Sequence, residues 1–142
     1  MKRLILMMTA GICACTTLFA LQPIERNSLS PAQVDQLEKS IARSLESNSP
    51  TQQIEAAMLL HRAQALAPTH EWNRCIIPLM GILNRESNEA SARLLAALLL
   101  HELRSERGDF AISRNALFTD NPRVKRYCAI LARTRILEKT KS

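Results

Sequence analysis

Asn121-Pro122-Arg123-Val124-Lys125-Arg126-Tyr127-Cys128-Ala129-Ile130-Leu131-Ala132 is the stretch on which the reading of this chain turns. Asn accepts hydrogen bonds from the open amides of a helix start. Pro suits the first helical position, where it has no useful donor to lose. Val124, Cys128 and Leu131 then recur at four- and three-residue spacing, which is one apolar stripe. Arg123, Lys125 and Arg126 lie off that stripe. These twelve residues therefore read either as a basic recognition helix or as a structural helix with a charged outer side.

The same kind of start occurs twice upstream. Ser30-Pro31-Ala32-Gln33 carries a cap, a first-turn proline and a capping-box glutamine, and Ser49-Pro50-Thr51-Gln52 repeats the pattern. Val34, Leu37, Ile41 and Leu45 form the stripe of the first helix, expected to stop near Ser47-Asn48. The second helix holds Ile54, Ala57, Met58, Leu59 and Leu60 and ends before Pro68. Thr69 is expected to cap a third helix with Trp72, Cys75, Ile76, Leu79 and Leu83, interrupted by Pro78. Asn88 opens a fourth, whose run Leu94 to Leu100 is apolar nearly all round and should be covered on more than one side. Gly108-Asp109 is expected to end one element and cap a short fifth helix through Ile112 and Leu117. The last helix, from Asn121-Pro122, should fray after Ile136. Three glycines and few aromatics, with abundant Ala, Leu, Arg and Glu, give an all-α composition with no strand candidate.

Six helices in three pairs invite a test for repeats. With Ala57, Ala97 and Ala129 in register, small residues coincide at 56/96/128 and 57/97/129, and large apolar ones at 58/98/130. The offsets are 40 and 32 residues, in the range of helical-hairpin repeats. Asn121-Pro122-Arg123-Val124-Lys125, followed by Cys128-Ala129 and Leu131, resembles the second-helix signature of HEAT-type repeats, and Ala92-Arg93 with Ala96-Ala97 is a further match. Gln52-Gln53 departs from the Val-Arg pair, so the first hairpin is a cap or a divergent copy. Ala65-Leu66-Ala67-Pro68 is similar to the end of a tetratricopeptide repeat, but the uneven spacing and the missing Trp-Leu-Gly pattern count against that family. The HEAT resemblance implies a short right-handed α-α superhelix (a solenoid) of about three antiparallel helix pairs over residues 30–139. It also implies that Lys125 occupies a structural basic position.

The first residues are of another kind. Lys2-Arg3 precedes an uncharged, mostly apolar run from Leu4 to Leu21, ending in Gln22-Pro23. Three readings fit residues 1–21: a cleaved signal peptide, an uncleaved N-terminal membrane anchor, or a lipoprotein leader with Cys15 as the lipidated residue. Each makes the chain exported, to the bacterial periplasm or to a membrane facing it, with residues 22–29 as a linker. The net charge is +6 and falls to +4 without residues 1–20.

The remaining chemistry is sparse. No metal-ligand spacing, nucleophile motif or phosphate-binding glycine loop occurs, so no catalytic, metal or cofactor site is expected, and a small exported enzyme is the least favoured reading. Cys75 and Cys128 sit in apolar helical runs and read as small hydrophobes, although export would permit a disulfide. His61 and His101 each lie four residues past the aligned alanine, with Arg133 in the matching third place. The candidate partner-binding residues are Arg93, Arg123, Lys125, Arg126, Arg133, His61 and His101. They suit another protein with an acidic surface or, as an alternative, an anionic membrane surface met by the basic last helix. Nucleic acid is not expected, because the aromatics that stack on bases are missing.

Overall fold

The computed structural model describes residues 29–141. The leader, Cys15 and all of the linker except Leu29 lie outside the described residues. Six helices follow in order: α1 (Pro31–Leu45), α2 (Pro50–Leu66), α3 (Asn73–Asn84), α4 (Ala90–Glu102), α5 (Glu106–Phe118) and α6 (Pro122–Lys141). The described residues contain no strand.

Local chemistry sets most of these bounds. Ser30 accepts from Gln33 N while Gln33 Oε1 accepts from Ser30 N, a complete capping box. Ser49 caps α2 through Gln52 N, and Asn121 Oδ1 accepts from the amides of both Arg123 and Val124. Pro31, Pro50 and Pro122 each open their helix, as expected.

Three starts differ from the sequence reading. Thr69 does not cap α3, whose N-terminal flank Trp72 makes no side-chain cap bond. Instead Glu38 of α1 reaches across and accepts from Arg74 N at 2.8 Å, a cap supplied by another helix. Asn88 stands before the start of α4 and ties back to Ile82 O at 3.0 Å. Gly108 is not a terminator but the third residue of α5, capped by Ser105. A Cβ there would stand 3.0 Å from Leu100 O and 2.9 Å from Ser105 Oγ, so a side chain at this position would press on the main chain of α4, which would have to give by a few tenths of an ångström. At the other end, α6 does not fray after Ile136. Buried Arg135 donates to Asp109 and Glu138 and to the main-chain oxygen of His101, which holds the last turns in place.

Packing follows the pairing. α1 packs on α2, α3 on α4 and α5 on α6, across short connectors that turn the chain back on itself. Odd helices touch in the order α1–α3–α5 and even helices in the order α2–α4–α6. Among the described residues neither α1 and α5 nor α2 and α6 meet. α4 touches α2, α3, α5 and α6, which is why its run of leucines and alanines needs cover on several sides. One continuous core results, from Val34 and Ile41 through Leu60, Leu79, Leu83, Leu99 and Leu100 to Val124 and Leu131. Each fully buried Leu or Ile contributes about 1.5–3 kcal/mol. Cys75 and Cys128 are buried in it and unpaired, and burial pushes their thiols up to about 12 and about 11.

Candidate partner-binding surface

The register of the repeats decides which side chains reach solvent. Positions 56/96/128 are buried in all three even helices. Ala57 and Ala97 are buried as well, but Ala129, expected to be a buried repeat position, is exposed, since among the described residues no helix packs on that side of α6. Positions 58/98/130 differ more. Met58 is 48% and Ile130 56% exposed, with Leu98 between them half-buried. The repeat thus sets a large apolar residue at one matching outward position on each of α2, α4 and α6. Half-buried Ile54 and Leu94 stand one turn nearer the N-terminal ends of α2 and α4, and exposed Arg126 takes their place on α6. The even helices therefore present an apolar row that turns basic at its α6 end, where Arg123, Arg126 and Arg133 are exposed.

Arg93 does not belong to this surface. It is 1% exposed and forms the hub of a network that joins the α3–α4 turn to the α5–α6 turn. Its Nε donates to Leu83 O at 2.9 Å, and Nη1 and Nη2 hold Glu86 at 2.6 and 3.1 Å. Nη2 also donates to Asn115 Oδ1 and Thr119 Oγ1, and Thr119 Oγ1 donates on to Glu86. Arg93, first among its partners, and then Thr119 lower the Glu86 carboxyl below its ordinary value. A guanidinium buried this way has too many acceptors to be free for a ligand. Gln53, at the matching position of α2, is also buried and donates to Ser47 O at 2.7 Å. The apparent departure from the repeat pattern there preserves the same task, a bond to the main chain that precedes the helix. Lys125, the third member of this register position, is exposed.

The histidines do not form a ladder. His61 Nδ1 pairs with Glu102 Oε2 at 3.1 Å, bridging α2 to α4. His101 is half-buried, and its buried Nδ1 has no hydrogen-bond partner. Burial first, and then the Arg135 charge, lower its pKa below the ordinary value. His61 and Glu102 stand at the rim of an open cleft of about 700 Å³ between the ends of α2 and α4 and the connectors that follow them. His70, Trp72 and Arg104 also line it. Trp72 is 3% exposed with an unpaired indole N–H, and the His70 ring meets it edge-on at 4.8 Å. Nothing in the sequence singled out this cleft, because it is built from two connectors far apart along the chain. Pairing of His70 with Glu38 at 3.0 Å fixes one wall to α1. No group of three or more metal-ligating side chains occurs among the described residues. No helix among them is long and apolar enough to cross a membrane.

No protein-family model, curated protein or solved structure matches this chain.

Proposed function

We propose that the chain is a non-catalytic protein-binding module of the bacterial cell envelope, a short right-handed α-α superhelix of HEAT type whose even-helix side holds an acidic, amphipathic segment of another protein. The observation that carries this reading is the row Met58, Leu98 and Ile130, one outward apolar position kept across three helices, ending beside Arg123, Arg126 and Arg133. An apolar row supplies burial for a partner, and the basic end supplies orientation and attraction over roughly a Debye length, about 8–10 Å at ordinary salt.

Photo-crosslinking residues at Met58 and Ile130 in living cells test the reading. Both positions should yield one adduct of the same mass, different from a multiple of this chain. A probe at Lys39, exposed on α1, should yield none. Arg123→Glu with Arg133→Glu should weaken the adduct. Equal crosslinking from Lys39, or none at Met58 and Ile130, sinks the reading.

A second reading has its own support. Ile130, Ile136 and Leu137 are exposed on α6 among Arg126, Arg133 and Lys141, a mixture suited to an anionic lipid surface. Salt-sensitive co-sedimentation with phosphatidylglycerol vesicles, and none with phosphatidylcholine, is its expected signature.

A further inference from the structure

The first two hairpins meet through one contact, and the repeat register carries its two halves to the two ends of the described helices, where all of their side chains except that of Ala56 are exposed. Between the first two hairpins, Gln53, Ile54 and Ala57 of α2 converge with Ala92, Leu95 and Ala96 of α4. Call the α2 set the trailing face and the α4 set the leading face. Carried forward 72 residues by the register (40 and then 32), the trailing face becomes Lys125, Arg126 and Ala129 of α6, all exposed. Carried back 40 residues, the leading face becomes Gln52, Glu55 and Ala56 of α2. Those residues, with Leu59, Ile41 and Ser44, line an open groove of about 530 Å³ between α1 and α2, in which Arg43 is the one basic side chain and Glu55 the one acidic.

Among the described residues neither end of the stack is a fully polar cap of the kind that closes a helical-repeat array against water. Ala129 stays small, like Ala57 and Ala97, although no described residue covers it. Ile136, one turn from half-buried Ala132 on α6, is 67% exposed. Leu59 is exposed beside the groove at the other end. What changes at the ends is charge, and it changes in opposite senses. Where the interior contact sets Leu95 against Gln53 and Ile54, the ends offer Glu55 for Leu95, and Lys125 and Arg126 for Gln53 and Ile54. The first hairpin, residues 31–66, has four acidic and three basic side chains, net −1, while the third, residues 106–141, has nine basic and four acidic, net +5.

We propose that copies of this chain associate head to tail, the trailing face of α6 in one copy seating in the α1/α2 groove of the next, with Glu55 opposite Lys125 and Arg126. Such a contact joins two different surfaces, so it does not close on itself at two copies, and the assembly grows with concentration. It rests on the observed packing of the hairpins, not on the partner reading, so the two fail separately.

Sedimentation velocity on the full chain at low salt tests it. The weight-average mass should rise with concentration above about twice that of one chain. Glu55→Lys should abolish this growth, and so should Lys125→Glu with Arg126→Glu, since each sets like charges together. All three side chains are exposed, and an unchanged far-UV circular dichroism spectrum verifies the fold of each variant. Mixing the two variants restores opposite charges at the altered ends and should restore growth. A mass that stays at one chain overturns the proposal. So does association that both variants retain, or a mixture that fails to recover it.

Discussion

At the scale of single residues, the molecule depends on groups whose neighbours leave no alternative. Arg93 satisfies a main-chain oxygen, Glu86, Asn115 and Thr119 together. Replacing it with Leu leaves Glu86 free to turn to water, since that side chain is half exposed, but Asn115 and Thr119 are buried. The expected loss is about 3 kcal/mol, toward the lower end for a broken buried pair, read from the urea midpoint. Gly108→Ala drives a methyl into Leu100 O and should cost about 1–3 kcal/mol in the same assay, because backbone cannot swing aside. His101 gives a pH signature. Its folded value is lowered by burial and by Arg135, so below the ordinary value of 6.5 the unfolded chain takes up the proton first. Stability contributed by neutral His101 is therefore present above pH 6.5 and declines as pH falls below it. His101→Gln should flatten the fall that begins below the ordinary value of 6.5, measured as unfolding free energy against pH. An unchanged slope would count against the buried imidazole as its source.

At the scale of elements, α3 shows where sequence reading stopped. The starts of α1, α2 and α6 were legible because each cap and its proline are neighbours in the chain: Ser30-Pro31, Ser49-Pro50 and Asn121-Pro122. The cap of α3 was not, because Glu38 lies 36 residues upstream of the amide it serves. Arg74 also donates to Glu38 Oε2 at 3.2 Å and pairs with Asp35, whose carboxyl is lowered to about 2 by Lys39 and then by Arg74. Glu38→Ala should lower stability by about 1–2 kcal/mol, the loss of a helix cap, whereas Glu38→Gln keeps an acceptor and should lose less. Thermal melts of the two variants check the order. The apolar row had a similar fate. Positions 58/98/130 were visible as a repeated feature, but periodicity alone does not say which of two apolar positions faces the core. Met58 and Ile130 turned out to face solvent. Arg93 failed in the reverse sense: a basic residue on a helix reads as surface until its partners from α3, α5 and their flanking turns are known. What a stretch shows about itself was readable, and what two distant stretches do to each other was not.

At the scale of the whole molecule, stability is shared through α4. It is the one helix that touches four others, and its two sides are leading and trailing faces at once. Arg93 takes acceptors from α5 and the residue after it, Gly108 of α5 sits against Leu100, and His61 of α2 reaches Glu102. Among the described residues the α1/α2 and α5/α6 pairs each touch only the α3/α4 pair, so loss of either outer pair uncovers the middle one. The intact chain should therefore unfold in a single urea transition. Trp72, the only tryptophan, reports the α2–α3 connector, and far-UV circular dichroism reports all six helices, so the two signals should coincide. Truncation after Ser105 removes α5 and α6, which takes Asn115 and Thr119 from Arg93 and uncovers Leu100. Trp72 lies outside the removed part and keeps its partner His70 and the support of Glu38 on α1. Its fluorescence should nevertheless shift at lower urea than in the intact chain, and the transition should broaden. A truncated chain that kept the original midpoint would show that the first two hairpins stand alone and that α4 does not couple the ends.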